Sequence, residues 1–223
     1  MRTPGYRVTT FAMAFMAAVS VIASGCSAVN SAADTNVETE LAGIRATLPG
    51  TYTGSSAAPW DPGQTVSLEH VFAEIAAPQF GELVYYYQLS VDGKVMQQKL
   101  FSVDTDPRRA VNSMQPGVLP PGAVAGDFHL RPADWSALPV TAVSSFPDAC
   151  ALRWQTATDG PWTYSARSLP RDCRFASEQF NDTIKGYIRY DLSADRMRWA
   201  ERLVTAGGKL VAETPKPLVA IRN

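Results

Sequence analysis

The residues best suited to chemistry in this sequence are aromatic and basic side chains on segments of alternating polarity. Aromatic rings can stack on a flat apolar ligand, and lysine or arginine can pair with carboxylates of that ligand. The same residue types also fill ordinary cores and solvated faces, so both interpretations stay open at each position. The candidate ligand-binding residues are Tyr85, Tyr87, Gln98, Lys99, Phe101, Arg153, Trp154, Tyr190 and Arg202, with Trp162 and Trp199 as further aromatic candidates.

Sequence signatures of common catalytic and metal sites are missing. The sequence has only two histidines, His70 and His129, and it has no HExxH motif and no Cys/His cluster at ligand spacing. It also lacks a GxSxG motif, a glycine-rich phosphate loop with lysine and a dinucleotide fingerprint. We therefore expect no metal site, and the catalytic residues stay unknown. The net charge of -1 gives no reason to expect nucleic acid as a partner.

Long strands must position the first group of candidates. Residues 82–91 and 94–103 are two alternating runs joined by Asp92 and Gly93, which is the strongest short-range signal for a β-hairpin. Tyr85 and Tyr87 share one face of the first run. Strands of this length favour a strongly bent or closed sheet.

The second group of candidates lies between residues 150 and 204. Short alternating runs flank the turn at residues 158–161, and two further runs follow at 183–192 and 196–204. Glu201 and Arg202 must point to opposite faces of the last run, and whichever faces inward needs a partner. Eight to ten strands and almost no helix predict an all-β, single-domain antiparallel barrel of lipocalin type, with a β-sandwich as the alternative.

The first 25 residues predict a lipoprotein signal peptide. Basic residues precede an apolar run at 11–23, which is too short to span a bilayer, and small residues precede Cys26. This pattern resembles a bacterial lipoprotein cleavage site, in which Cys26 is lipidated and Ser27 favours the periplasmic side of the outer membrane. The alternative is an ordinary signal peptide cleaved a few residues later.

The remaining chain divides into a tether and one domain. We expect residues 26–47 to form a flexible tether with a short helix, because Val37, Leu41, Ile44 and Leu48 share one face at helical spacing. The β-barrel domain is expected over residues 48–223. Within it, residues 105–138 are rich in proline and glycine and could form a lid over one barrel mouth.

Cysteine usage fits an oxidising compartment. Once Cys26 is set aside, Cys150 and Cys173 are the two remaining cysteines, and an even pair in an exported chain indicates a disulfide. Such a bond would clamp the open end of the hairpin between them. A reactive thiol or a pair of metal ligands remains the alternative.

The order of these segments resembles the CpcT/CpeT family of chromophore lyases over residues 48 to 223. The matching features are a Leu-x-Gly-x-Tyr start, a Gln-basic pair where the family shows Arg-Gln-Arg, the cysteine segment, and a strand pair followed by a Gly-Gly turn. Gln97 replaces the first arginine of the run, and Gly54 stands where the family often has asparagine. The residues that carry the resemblance are Leu48, Gly50, Tyr52, Gln98, Lys99, Cys150, Cys173, Glu201, Arg202, Gly207 and Gly208.

The resemblance implies a lipocalin-like barrel whose pocket accepts a bilin or another tetrapyrrole. It also implies attachment of that chromophore to a thiol of an acceptor protein, which the sequence does not identify. Two functions therefore remain: an envelope lipoprotein that binds a planar apolar ligand, with lyase activity as an extension, and a non-enzymatic structural or interaction lipoprotein. A packed barrel interior would favour the second.

Overall fold

A computed structural model describes residues 36–58, 61–106, 111–120, 122–169, 173–177, 181–214 and 218–223. The predicted signal peptide, Cys26 and the first part of the tether lie outside the described residues. No helix in these ranges has the length and hydropathy needed to cross a membrane.

Thirteen antiparallel strands dominate the described chain. They are β1 (Gly50–Ala58), β2 (Asp61–Ile75), β3 (Val84–Val91), β4 (Lys94–Asp106), β5 (Val111–Val118), β6 (Ser144–Ser145), β7 (Leu152–Thr156), β8 (Tyr164–Arg167), β9 (Arg174–Ser177), β10 (Asp182–Leu192), β11 (Arg196–Thr205), β12 (Leu210–Glu213) and β13 (Leu218–Arg222).

Ten of these strands close into a barrel in the order β1, β2, β3, β4, β5, β7, β8, β10, β11 and β13, with β13 pairing back to β1. The other three strands extend the sheet: β6 pairs with β5, β9 with β10 and β12 with β11. The all-β barrel is therefore confirmed, and the sandwich alternative is excluded by the closed ring of pairings.

The hairpin of β3 and β4 has the turn that its sequence predicts. Asp92 and Gly93 both have positive φ angles, of 48° and 75°, as a two-residue hairpin turn of type I′ requires. The register places Tyr87 opposite Lys99 and Tyr85 opposite Phe101. The hairpin thus brings four of the candidate residues onto the inner face of the barrel.

One end of the barrel is closed by a helix, α1, that occupies residues 36–47. Its apolar face supplies Ile44 to the core, and Leu48 follows it there, both at 1% exposure or less. The Arg45 guanidinium donates to the carboxylate of Glu74 at 2.6 Å, and the Asn112 amide donates to the Val37 carbonyl at 3.0 Å. We call this end of the barrel the closed end and the opposite end the mouth.

The irregular segment after β5 packs on the outer face of the barrel rather than over its mouth. It contains a short helix, α2 (Pro132–Trp135), and 3-10 turns at Phe128–Leu130, Val140–Ala142 and Asp148–Cys150. Trp135 is fully buried against Tyr86 and Leu100, which are outward side chains of β3 and β4. The prediction of a lid is therefore wrong, because the segment instead covers apolar side chains on the outer face of the barrel. The prediction also overlooked β5 within this segment.

The hairpin of β7 and β8 is present, and Cys150 and Cys173 form the predicted disulfide. Cys150 is 3% exposed and Cys173 is 1% exposed, and the bond ties the start of β7 to the chain that leads into β9. Closing a loop of this length contributes about 3 kcal/mol to stability in the chain-entropy model. A free thiol and a metal pair at these positions are thereby excluded.

Candidate ligand-binding site in the barrel

The middle of the barrel is filled by aromatic rings. Phe72 of β2 is central, with ring centroids 4.8 Å from Tyr87, 5.9 Å from Tyr190 and 6.3 Å from Phe101. The Phe72–Tyr190 contact and the contacts of Tyr87 with Phe101 and Tyr190 are edge-to-face, a geometry that adds stabilisation beyond area burial. Each of these rings is at most 4% exposed. This part of the interior is packed by the protein's own side chains.

A buried histidine lies beside this aromatic layer. The Nδ1 atom of His70 is 3.0 Å from the hydroxyl oxygen of Tyr87, and the His70 ring meets Trp199 edge-on at 5.5 Å. Burial lowers the pKa of His70 to about 4, so the imidazole is neutral near pH 7. Burial raises the pKa of Tyr87 well above 10, with further contributions from Tyr190 and Glu201. Both groups are therefore hydrogen-bonding partners rather than charges.

Lys99 is a buried cation in the same region. It is 4% exposed, and its Nζ lies 5.9 Å from the centroid of the Tyr87 ring. Burial lowers the pKa of Lys99, and the negative charge of Glu201 opposes that shift. No ion pair within 4 Å joins Lys99 to any residue that the structure describes. Among the described residues, the amine of Lys99 thus has no direct counter-charge.

Glu201 is the member of the Glu201–Arg202 pair that faces inward. It lies on the same side of β11 as Met197 and Trp199, and it acts electrostatically on Lys99, Tyr87 and Tyr190. Glu201 is half-buried, whereas the Arg202 side chain is 62% exposed and lies 3.5 Å from Glu213. The inward charge therefore has a distant partner in Lys99.

The two ends of the interior differ in exposure. Towards the closed end, the inward residues Tyr52, Tyr85, Met114 and Met197 are at most 1% exposed. Towards the mouth, burial is uneven: Val66, Leu68 and Leu89 are at most 9% exposed, whereas other inward side chains, several of them apolar, are only half-buried. These half-buried mouth residues are Val91, Gln97, Val118, Ile188, Trp199, Glu201 and Leu218. Lys99 and His70 lie between the packed half and this partly open half.

The structure brings together six of the nine candidate ligand-binding residues. Tyr85, Tyr87, Lys99, Phe101, Trp154 and Tyr190 all belong to the inner face and are at most 4% exposed. Two of them, Tyr85 and Trp154, carry a buried polar atom with no hydrogen-bond partner in the described structure, the hydroxyl oxygen and Nε1 respectively.

The other three candidates lie outside the interior. Gln98 points to the outer face, where its amide donates to the Tyr86 hydroxyl at 2.7 Å and to the Val124 carbonyl at 3.3 Å beneath the segment after β5. Arg153 and Arg202 are exposed on the outer surface. Alternation along each strand explains this split, because Gln98 and Lys99, like Arg153 and Trp154, are sequence neighbours with opposite orientations.

His70 and Phe72 are interior residues that the sequence analysis did not select. They share one face of β2 with Leu68 and alternate with Val71 and Ala73, so a strand assignment with period two would have placed both on one face. The run that contains them is also rich in alanine, and its apolar residues stand at mixed spacing. That composition obscured the alternation.

The described residues also form surface grooves outside the barrel interior. One of about 450 Å³ lies between α1 and the β3–β4 sheet at the closed end, and the other, of about 400 Å³, lies beside β12. Neither is lined by His70, Lys99 or Tyr87. Among the described residues, no group of three or more His, Cys, Asp or Glu side chains is arranged to hold a metal ion.

Comparison with known proteins identifies the fold. No family model matches the sequence, and no curated protein matches it. Among solved structures, the CRL protein of Arabidopsis, determined as the selenomethionine protein, superposes with a TM-score of 0.62 at 14% sequence identity. The match covers 84% of this chain and 99% of that one. The chain thus shares its barrel architecture with a solved plant protein.

Proposed function

We propose that this protein binds one planar, largely apolar ligand that carries a carboxylate, of the tetrapyrrole type, in the mouth half of the barrel. The observation that carries the proposal is Lys99, an ammonium that is 4% exposed and has no ion pair among the described residues. A buried charge is costly unless it is paired, and a ligand carboxylate would supply that pair.

The surroundings of Lys99 suit a flat ligand. Trp199, Ile188 and Leu218 offer half-buried apolar surface at the mouth, and Trp199 can stack on a ring system. Tyr87 and His70 offer neutral polar atoms at the bottom of this half. Because the closed half is already filled, the ligand would enter only to the level of Lys99 and keep its far edge near the solvent.

The resemblance to CpcT/CpeT lyases supports a bilin as the ligand class. In a lyase role, the barrel would orient the bilin while a thiol of an acceptor protein adds to it. The thiol would have to come from the acceptor, because Cys150 and Cys173 are joined in a disulfide. We place this activity at the cell envelope, with the protein anchored through lipidated Cys26 on the periplasmic side of the outer membrane.

A second candidate function is that of a non-enzymatic interaction protein of the envelope. The observation in its favour is the packing of Tyr52, Phe72, Tyr87, Phe101 and Tyr190, which fills the middle of the barrel. In that case Lys99 and Glu201 would only balance each other across the interior, and no ligand would be needed.

A titration with biliverdin and with haem decides between the two functions. We expect saturable one-to-one binding in absorbance and in tryptophan fluorescence, because Trp199 lies at the mouth. Lys99→Met should weaken it by at least about thirtyfold, as for truncation of one partner of a buried charge pair. Lys94→Met, a change at an exposed lysine of the β3–β4 turn, is the matched control and should leave the affinity unchanged.

The pH dependence of the titration provides a second test. A ligand carboxylate favours the protonated amine, so binding should weaken as the pH rises above the lowered pKa of Lys99 in the free protein. If neither tetrapyrrole binds, or if Lys99→Met binds as well as the wild type, the interaction function is the better explanation.

A further inference from the structure

A row of arginines crosses the outer face of the barrel. Arg153 of β7 lies directly opposite Arg167 of β8, and Arg167 lies directly opposite Arg189 of β10. Adjacent strands are about 4.8 Å apart, so the three side chains leave the sheet within about 10 Å of one another. We call Arg153, Arg167 and Arg189 the arginine row.

One end of the arginine row is held by a buried carboxylate. Asp191 is 1% exposed and accepts hydrogen bonds from Nε of Arg189 at 3.0 Å and from Nε of Arg198 at 2.7 Å. The Arg198 guanidinium also lies 4.9 Å from the centroid of the Trp162 ring. Arg189 and Arg198 are therefore fixed in position, which makes this end of the surface rigid.

The other two members of the row, Arg153 and Arg167, have no counter-charge among the described residues. Arg153 and Arg167 are exposed, and neither forms an ion pair with any residue that the structure describes. Like charges directly opposite each other on neighbouring strands destabilise a sheet. A structural role does not explain the pair, because an uncharged polar residue at either position would remove the repulsion.

We propose that the arginine row is a docking surface for an acidic helical segment of a partner protein. A helix with glutamates at positions i, i+3 and i+7 presents three carboxylates over about 10 Å along one face, which matches the span of the row. All the cations in the row are arginines, and the planar guanidinium group of arginine binds a carboxylate through two parallel hydrogen bonds. The proposal concerns the outer surface and is independent of ligand binding inside the barrel.

The surroundings favour a discrete segment over a membrane surface. The row is short, and across the sheet it continues from Arg153 through Ser113 to the acidic residue Asp104. At the other side, Asp159 lies 3.9 Å from Arg189. An extended anionic surface would meet these carboxylates as well as the arginines, whereas a single helix can lie along the row and avoid them.

The test uses two fluorescein-labelled helical peptides of identical composition. One carries glutamates at i, i+3 and i+7, and the other spreads them around the helix. Fluorescence anisotropy with the full mature protein at low salt should show saturable binding of the first peptide and weaker binding of the second. Arg167→Gln should weaken binding about threefold, and Arg153→Gln with Arg167→Gln about tenfold, as expected for exposed ion pairs. Lys94→Gln should change nothing.

Three results would overturn the proposal. The first is equal binding of both peptides, which would indicate unspecific charge attraction. The second is unchanged binding by the double variant when its thermal unfolding shows that it is folded. The third is Arg167-dependent binding to vesicles of phosphatidylcholine and phosphatidylglycerol with no binding of either peptide, which would assign the row to a membrane.

Discussion

The closed half and the mouth half of the barrel belong to one continuous sheet, yet they are built differently. At the closed end, α1 and the aromatic layer bury side chains almost completely. The Tyr52 hydroxyl there donates to the Thr47 carbonyl at 2.8 Å and also lies 3.1 Å from the Leu48 carbonyl, whereas the Tyr85 hydroxyl and the Trp154 Nε1 have no hydrogen-bond partner in the described structure. At the mouth, several inward apolar residues stay half-buried, and no ion pair within 4 Å joins the described residues Lys99 and Glu201.

This difference indicates that the closed half contributes most of the stability and that the mouth half is suited to binding. Complete burial in a close-packed region contributes most to the free energy of folding, while half-buried apolar surface beside an unpaired charge contributes little and suits a binding site. Changes in the closed half should therefore lower the free energy of unfolding most, and changes at the mouth should alter binding with little effect on stability.

The largest expected effect comes from the centre of the aromatic layer. Phe72→Ala should lower the free energy of unfolding by about 3–5 kcal/mol, because it removes a ring that contacts four other aromatic residues and leaves a cavity. Urea unfolding followed by tryptophan fluorescence measures the change.

Leu218→Ala at the mouth is the matched comparison. Leu218 is only half-buried, so we expect a loss of about 1 kcal/mol. Equal losses for the two variants would contradict the division of the interior into a packed half and an open half.

His70, which lies at the boundary between the halves, should make stability depend on pH. Its pKa is about 4 in the folded protein and 6.5 in the unfolded chain, so the unfolded state binds more protons between these values. Stability from His70 is complete above pH 6.5 and is lost as the pH falls towards 4, by about 3 kcal/mol in total.

Comparison with His70→Gln isolates this contribution from that of the carboxylates. The variant should lose about 3 kcal/mol less than the wild type over the same pH range. If wild type and His70→Gln lose stability in parallel, the imidazole is not the group responsible.

Much of the barrel could be predicted from local patterns. The Asp92-Gly93 turn and the alternating runs on either side specify the β3–β4 hairpin, and the spacing of Val37, Ile44 and Leu48 indicates the helix at residues 36–47. The packing of residues 122–143 on the outer face could not be predicted, because Tyr86 and Leu100 alternate correctly as outward residues and only the tertiary structure shows that they are covered.

The sequence predicts the members of the site only where it also predicts which face of a strand each side chain lies on. One hairpin predicts a common face for Tyr85, Tyr87, Lys99 and Phe101, and the structure places all four inside. Arg153 and Arg202 are candidates by charge alone, and their alternation with Trp154 and Glu201 places them outside. The pairing of Arg153 with Arg167 and of Arg167 with Arg189 depends on register between strands that the sequence does not specify.

The smallest expected effect on stability is that of Lys99→Met. The change removes a buried ammonium and keeps an unbranched apolar chain of similar size, so the desolvation cost of the charge disappears together with its attraction to Glu201. We expect the free energy of unfolding to stay within about 1 kcal/mol of the wild type, in contrast to the large loss expected for Phe72→Ala. A loss of several kcal/mol in urea unfolding would show instead that Lys99 and Glu201 stabilise the fold as a pair, and the mouth would then resemble the closed half.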